Sequence, residues 1–281
     1  MSRRTTFKAI VFLTALVLML GLLVGCGKAK SDSQGDGLSG SINIAGSTSV
    51  QPLSDELAQA FMDENPDVKI NVVGGGSSAG IKAAQEGTAD IGASSRELEE
   101  GEKNVKIFEI AKDGIAVVVN PANELDNLTL DQVAKIFLGE INNWSQVGGK
   151  DAPITVVTRE DGSGTRGAFE EIVLGKDKQI FSGAAIQNST GAVRTAVASD
   201  PNSIGYVSIG ALSEDVKPIM IDGVEATEEN VLAGKYKISR PFLYLTKEEP
   251  TGVVKAFIDW VLSDEGQAIV GEEYIPVKHV K

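Results

Sequence analysis

Four short stretches carry the residue types that could strip an oxyanion of its water and replace that water with fixed donors. They are Gly46-Ser47-Thr48-Ser49, Gly74-Gly75-Gly76-Ser77-Ser78-Ala79-Gly80, Ser94-Ser95-Arg96, and Arg159-Glu160-Asp161-Gly162-Ser163-Gly164-Thr165. Hydroxyls donate hydrogen bonds, glycine lets the backbone come close to a ligand, and a guanidinium adds a charge-assisted fork. Each stretch follows a strand-like run, and at least three lead into a helical pattern. A helix N-terminus there would add unpaired N–H groups and the positive end of a dipole. One such turn alone is ordinary capping chemistry. Four converging on one point, two of them with an arginine, would make an anion cage.

The elements that must position these turns alternate in type. Ser41–Ala45, Val68–Val72, Asp90–Ala93 and Ile154–Val157 read as strands, and Leu53, Leu57 and Phe61 give a helix ending at Asn65-Pro66. Ile81 to Glu86 reads as a short helix closed by Gly87, and a further helix carries Phe169, Ile172 and Val173. Val105–Phe108 and Ile115–Val119 are strand-like, and Thr129 with Gln132 is a capping box for a helix burying Val133, Ile136 and Phe137. A helix around Val193 to Ala198, strands at Ile204–Val207 and Phe242–Leu245, and a helix from Thr251 complete the pattern. Alternation of this kind predicts an α/β fold with a mostly parallel sheet, whose ligands sit outside the carboxyl ends of the strands. The pattern is too long for one compact sheet and divides naturally into two lobes.

Composition removes several function classes. The 281 residues carry 39 Asp+Glu against 26 Lys+Arg, a net charge of −13, which argues against nucleic acid as a partner. A single cysteine excludes an internal disulfide and any multi-cysteine metal centre. The single histidine, His279, lies two residues from the end, so histidine-based general-base catalysis is not expected. The second turn has the glycine spacing of a phosphate-binding P-loop but has Ile81 where the lysine belongs. Ser163 lies in Gly-Ser-Gly, yet Glu160 stands where a nucleophile elbow needs glycine. No catalytic residue, cofactor or metal ligand is assigned, and Trp144 and Trp260 read as packing residues.

Met1 to Lys8 is basic and polar, Ala9 to Val24 is apolar, and the run ends Leu23-Val24-Gly25-Cys26. This reads as a lipoprotein signal peptide over residues 1–25, with Cys26 as the lipidated N-terminus and a Ser/Gly/Lys-rich tether through residue 40. An uncleaved transmembrane anchor is the alternative, and the apolar run is short for it.

Together, Ala45-Gly-Ser-Thr-Ser49, Gly75-Gly-Ser-Ser-Ala-Gly-Ile-Lys82, Asp90-Ile-Gly-Ala-Ser94 and Asp161-Gly-Ser-Gly-Thr165 resemble the phosphate-binding proteins of bacterial phosphate ABC transporters. So do Phe137-Leu-Gly139 with Trp144, Ile204-Gly-Tyr-Val207, Arg240-Pro-Phe242 and Phe257–Ser263. The resemblance implies a two-lobed periplasmic-binding-protein fold of type II, with the ligand in the inter-lobe cleft and two hinge crossings. Residues 41–115 with 238–281 would form one lobe and residues 116–237 the other. It places phosphate on Thr48, Ser49, Ser77, Ser95, Arg159, Ser163, Gly164 and Thr165, with Ser47, Ser78, Ser94, Arg96 and Asp161 binding or supporting. Asp161 matches an aspartate that braces the arginine. Ser95 stands where family members carry an aspartate that accepts the phosphate proton, which leaves sulfate, molybdate or tungstate open as ligands; a phosphate-handling hydrolase is the remoter alternative. Arg96 would be either a second cation in the cleft or a surface partner of Glu97, Glu99 or Glu100. The implied partners are inorganic phosphate, the permease subunits of an importer, and a membrane reached through the lipid at Cys26. An exported monomer on the outer face of the cytoplasmic membrane, or the periplasmic side of an envelope membrane, is expected.

Overall fold

The structure, a computed structural model, describes residues 37–278. The signal peptide, Cys26, most of the tether and His279 lie outside the described residues. In chain order the elements begin with β1 (Gly40–Gly46), α1 (Gln51–Glu64), β2 (Val68–Gly74), α2 (Ser77–Glu86), β3 (Ile91–Ser94) and β4 (Lys106–Val119). The middle of the chain contributes β5 (Asn127–Leu128), α3 (Leu130–Phe137), β6 (Thr155–Arg159), α4 (Gly164–Phe169), β7 (Ala185–Gln187), α5 (Thr190–Ser199) and β8 (Ser203–Ser208). It continues with β9 (Lys217–Pro218), β10 (Met220–Ile221) and α6 (Glu228–Leu232), and the chain returns through β11 (Ser239–Thr246), α7 (Gly252–Val261), α8 (Asp264–Glu273) and β12 (Ile275–Pro276).

The main sheet runs β2-β1-β3-β11-β4-β8-β6-β7. β1 pairs in parallel with β2 and β3 at one end, and β6 in parallel with β7 and β8 at the other. Antiparallel β4 and β11 join the two parallel groups. Apolar side chains follow the same division. One core gathers Ile42, Leu53, Phe61 and Ile110 with Phe242, Phe257 and Val270, and the other gathers Ile115, Phe137, Phe169, Val197 and Tyr206 with Ile238. The backbone passes from one core to the other within β4, between Ala111 and Ile115, and back between Ile238 and Phe242.

Three features differ from the sequence pattern. The main strands form one sheet path rather than separate sheets, and it is not mostly parallel, because β4 and β11 run antiparallel to their neighbours and join the two parallel groups. The Val105–Phe108 and Ile115–Val119 runs belong to one fourteen-residue strand, β4. Lys112-Asp113-Gly114 hid the continuity, because Asp113 is buried against Arg240 of β11 and a buried charge breaks the apolar reading. Helix α2 begins at Ser77, four residues before the apolar signal at Ile81. Its first turn is polar because Ser77 is buried against hydroxyls and backbone rather than the apolar core. Gly80 lets this helix lie on the sheet: a Cβ there would come within 2.6 Å of the Ala45 carbonyl and 2.7 Å of the Ala93 carbonyl.

Candidate oxyanion site

All four turns emerge from the carboxyl ends of parallel strands β1, β2, β3 and β6, as the open α/β rule requires. The structure brings their hydroxyls into one buried cluster between the two cores. Ser47 Oγ donates to Ser95 Oγ at 2.8 Å, and Ser77 Oγ lies 3.3 Å from Ser95 Oγ while accepting from the Ser95 N–H at 3.0 Å. Ser49 Oγ lies 2.8 Å from Thr165 Oγ1 across the division between the cores. Ser163 caps α4, accepting from the Arg166 N–H, and a Cβ on Gly164 would fall 2.2 Å from Ser77 Oγ. At the rim the Ser78 N–H donates to the Gly162 carbonyl at 3.0 Å.

Arg159 is the cation of this cluster, with only 2 % of its surface exposed. Both oxygens of Glu160 hold it, accepting from Nε and Nη2 at 2.8 Å each, and Nη1 reaches Thr190 Oγ1 at 3.2 Å. Beneath it, Phe169 stacks on Tyr206 with ring centres 4.2 Å apart. The Tyr206 hydroxyl takes the Arg159 N–H at 3.3 Å and lies 2.7 Å from Thr158 Oγ1. Burial pushes that hydroxyl up to about 12, so it stays neutral and serves as a fixed strut.

Asp161 is placed differently from the expectation. It does not brace Arg159: its side chain is almost fully exposed and pairs with Arg166. Glu160 takes the bracing role, because Asp161 lies in the exposed turn after β6 while Glu160 still reaches back to the strand end. Arg96 forms no salt bridge with Glu97, Glu99 or Glu100, and meets only the Glu97 backbone carbonyl, to which Nη1 donates at 2.9 Å. A short turn over Glu100–Glu102, closed by a Glu99/Glu102 capping box, swings Glu102 back so that its carboxylate grips Arg96 at 2.6 and 2.8 Å. The carboxylate holds the guanidinium pKa above its ordinary value, and Arg96 in turn holds Glu102 below the usual carboxylate range. Arg96 therefore brings little net charge; it donates to Ser78 Oγ and lines a small rim cavity of about 200 Å³. Ser94 shapes the third turn through bonds to the Arg96 backbone.

Thr190 escaped the sequence reading. Its Oγ1 is 2.9 Å from Ser49 Oγ and 3.3 Å from Thr48 Oγ1, and its N–H donates to Thr48 Oγ1 at 3.2 Å. It begins α5 just after the carboxyl end of β7, and Ser189 caps that helix. Ser189-Thr190-Gly191 is thus a fifth turn of the same kind. The local signal was present, but the weak three-residue strand before it was not.

This constellation offers an anion a guanidinium, a ring of hydroxyls and the N-termini of α2, α4 and α5. Fold and site together define a solute-binding protein of the type II periplasmic class. A family profile described as a PBP superfamily domain matches residues 31–265. The phosphate-binding protein PstS of Bacillus subtilis (strain 168) is 36% identical over 287 aligned residues, covering 97% of this chain and 95% of its own. A crystal structure described as a putative phosphate ABC transporter substrate-binding protein with bound phosphate, from Clostridium perfringens, is 47% identical. It covers 85% of this chain and 100% of its own with a TM-score of 0.82. An ABC-type phosphate transport receptor from Vibrio cholerae is 38% identical, covering 84% and 100% with a TM-score of 0.71. The chain belongs to the PstS family of phosphate-binding proteins.

Proposed function

We infer that this protein captures inorganic phosphate and delivers it to the membrane subunits of a phosphate ABC importer. The observation that carries the reading is Arg159, buried against the Thr190 hydroxyl that in turn meets Thr48 and Ser49, in a chain 47% identical to a substrate-binding protein seen with phosphate. Burying a dianion unpaired would be prohibitive, so a receptor must replace its hydration shell with many fixed donors. Thr48, Ser49, Ser77 and Ser95 would supply them from one side, and Arg159, Ser163, Gly164 and Thr165 from the other, with Ser47 in support. The two cores would be two lobes, residues 41–115 with 238–281 and residues 116–237, hinged where β4 and β11 pass between them. Closing would bring the two donor sets together around the ligand. The role is capture, not turnover.

Calorimetry on the purified chain, unfolded and refolded to remove carried ligand, tests this. Phosphate and arsenate should bind with micromolar or tighter affinity, about −8 kcal/mol or better. No heat of binding from either would end the reading.

The rest of the receptor's life follows from the same assignment. Signal residues 1–25 would direct export, and a lipid on Cys26 would hold the mature monomer at the outer membrane face through the tether. No described helix is long and apolar enough to cross a membrane. Mass spectrometry of the mature N-terminus checks the lipid: an unmodified or uncleaved terminus would remove it.

A further inference from the structure

Contacts cross between the two cores at the site, and one set runs through a residue outside the assigned donors. The Ser78 N–H meets the Gly162 carbonyl and Ser49 meets Thr165, while Thr190 meets both Thr48 and Ser49. Thr190 stands on a rigid support. Arg159 of β6 lies opposite Gln187 of β7, and the Glu160 N–H donates to the Gln187 carbonyl at 3.0 Å. The chain then turns through Ser189, which caps α5 by accepting the Ala192 N–H at 3.1 Å. Val193 and Val197 of α5 are fully buried, and a Cβ on Gly205 of β8 would lie 3.0 Å from the first and 2.9 Å from the second, so the helix is seated directly on the sheet. The first turn is equally fixed on the other side. There the Gln51 N–H donates to the Ser47 carbonyl at 3.0 Å, and Val50 and Leu53 are fully buried in the first core.

Thr190 joins these two supports. As the first residue of α5 its N–H has no partner within the helix, and it donates to Thr48 Oγ1 at 3.2 Å. Its Oγ1 lies 2.9 Å from Ser49 Oγ and 3.3 Å from Thr48 Oγ1. We propose that Thr190 is a positioning residue for phosphate: it fixes Thr48 and Ser49 against the half of the site that carries Arg159, without itself touching the ligand. The proposal rests on the phosphate reading and deepens it. Arg159 Nη1 also reaches Thr190 Oγ1, but at 3.2 Å this is the longest of the guanidinium's bonds, and an anion can take its place. The contacts to Thr48 and Ser49 then remain and hold the two donor sets at one spacing. Donors held in place beforehand lose less freedom when a ligand binds, so affinity depends on a residue that makes no contact with it.

Calorimetry with inorganic phosphate on the refolded chain tests this. Thr190→Val keeps the branched shape and removes the hydroxyl, and should weaken phosphate binding roughly three- to tenfold, the size of one neutral hydrogen bond. Thr190→Ser keeps the hydroxyl and should bind within about twofold of the parent. In a Ser49→Ala background the bond is already gone, so adding Thr190→Val should cost less than about twofold. A residue that merely supported the second core would weaken both backgrounds alike and would not be rescued by serine.

Thr190→Val within about twofold of the parent, Thr190→Ser as weak as Thr190→Val, or an undiminished loss in the Ser49→Ala background each overturns the proposal while leaving the receptor function intact. Should Thr190→Val not fold, Thr190→Ala takes its place in the same comparison. Failure of the parent to bind phosphate would instead remove the reading on which the proposal rests.

Discussion

Two buried arginines, in two regions of the molecule, use the same chemistry to different ends. Arg240 sits where the chain passes between cores. Its Nε and Nη2 donate to Asp113 Oδ2 at 3.2 and 3.0 Å, and Nη1 to the Ser95 carbonyl, while Ser208 completes the shell on Asp113 Oδ1. Burial raises the Asp113 carboxyl and lowers the Arg240 guanidinium, each opposed by the other's charge. Every partner is fixed, so nothing there can exchange for a ligand. Arg159 is equally buried, yet one nitrogen meets only a neutral hydroxyl at 3.2 Å, and its carboxylate is partly open to water. A cation whose last partner is weak and replaceable is one that can take an anion. Burial of an arginine is thus uninformative about function until its partners are counted.

The largest effect should come from breaking the fixed pair. Asp113→Ala leaves Arg240 buried and unpaired, which costs about 3 to 5 kcal/mol of stability. A denaturant titration will show it as a lower midpoint. Replacing both residues by apolar ones of similar size should recover most of the loss, since a well-packed apolar pair is often as stable as the ion pair it replaces. An Asp113→Ala midpoint equal to the parent's would contradict a structural role for the pair.

Next in size is the open arginine. Arg159→Ala should reduce phosphate affinity by about 2 to 5 kcal/mol, the cost of removing a buried charged partner. Its unfolding midpoint should move far less than that of Asp113→Ala. If phosphate binds Arg159→Ala as it binds the parent, the contrast between the two arginines fails at its functional end.

How much of this was visible before the structure depends on what each residue had to signal. The four turns and the capping box at Thr129 were legible because local chemistry fixes them; Thr129 accepts from the Gln132 N–H at 3.1 Å as its spacing implies. The placement of Asp161 and Arg96 was not legible. Both depend on which carboxylate a turn swings inward, and at one-residue separation Glu160 and Asp161 look alike in sequence. Thr190 was missed because its strand, Ala185–Gln187, is short and mostly exposed, so no apolar alternation marked the turn after it. The continuity of β4 was hidden by a charge whose partner is 127 residues away.

A subtler change tests whether the two donor sets must fit closely. Gly164 opens α4, where alanine would ordinarily favour the helix, yet its Cβ would lie 2.2 Å from Ser77 Oγ and 2.6 Å from Ser95 Oγ. Gly164→Ala should therefore weaken phosphate binding by about 1 to 3 kcal/mol, as overpacking does, and lower the unfolding midpoint with it, because the clash lies within the fold itself. Unchanged affinity would mean that the two sets need not meet as closely as Ser77 and Gly164 do here.

The smallest effect concerns Arg96, the arginine neither wholly fixed nor open. Arg96 lowers the Glu102 carboxyl, so this carboxylate stabilises the fold above its unfolded value, near 4.3 for an ordinary glutamate, and the contribution fades as pH falls through the folded value. Glu102→Gln should accordingly cost less than about 1 kcal/mol at pH 7, and the gap to the parent should close toward pH 3. Denaturant midpoints at the two pH values give the comparison; a gap that widens in acid would contradict the pairing. Phosphate affinity supplies the second axis. If Glu102 neutralises Arg96 beside the cleft, releasing that charge should tighten binding slightly, by less than about tenfold, because a partly buried charge at the rim is still partly screened by salt. A larger gain would move Arg96 from the rim into the company of Arg159.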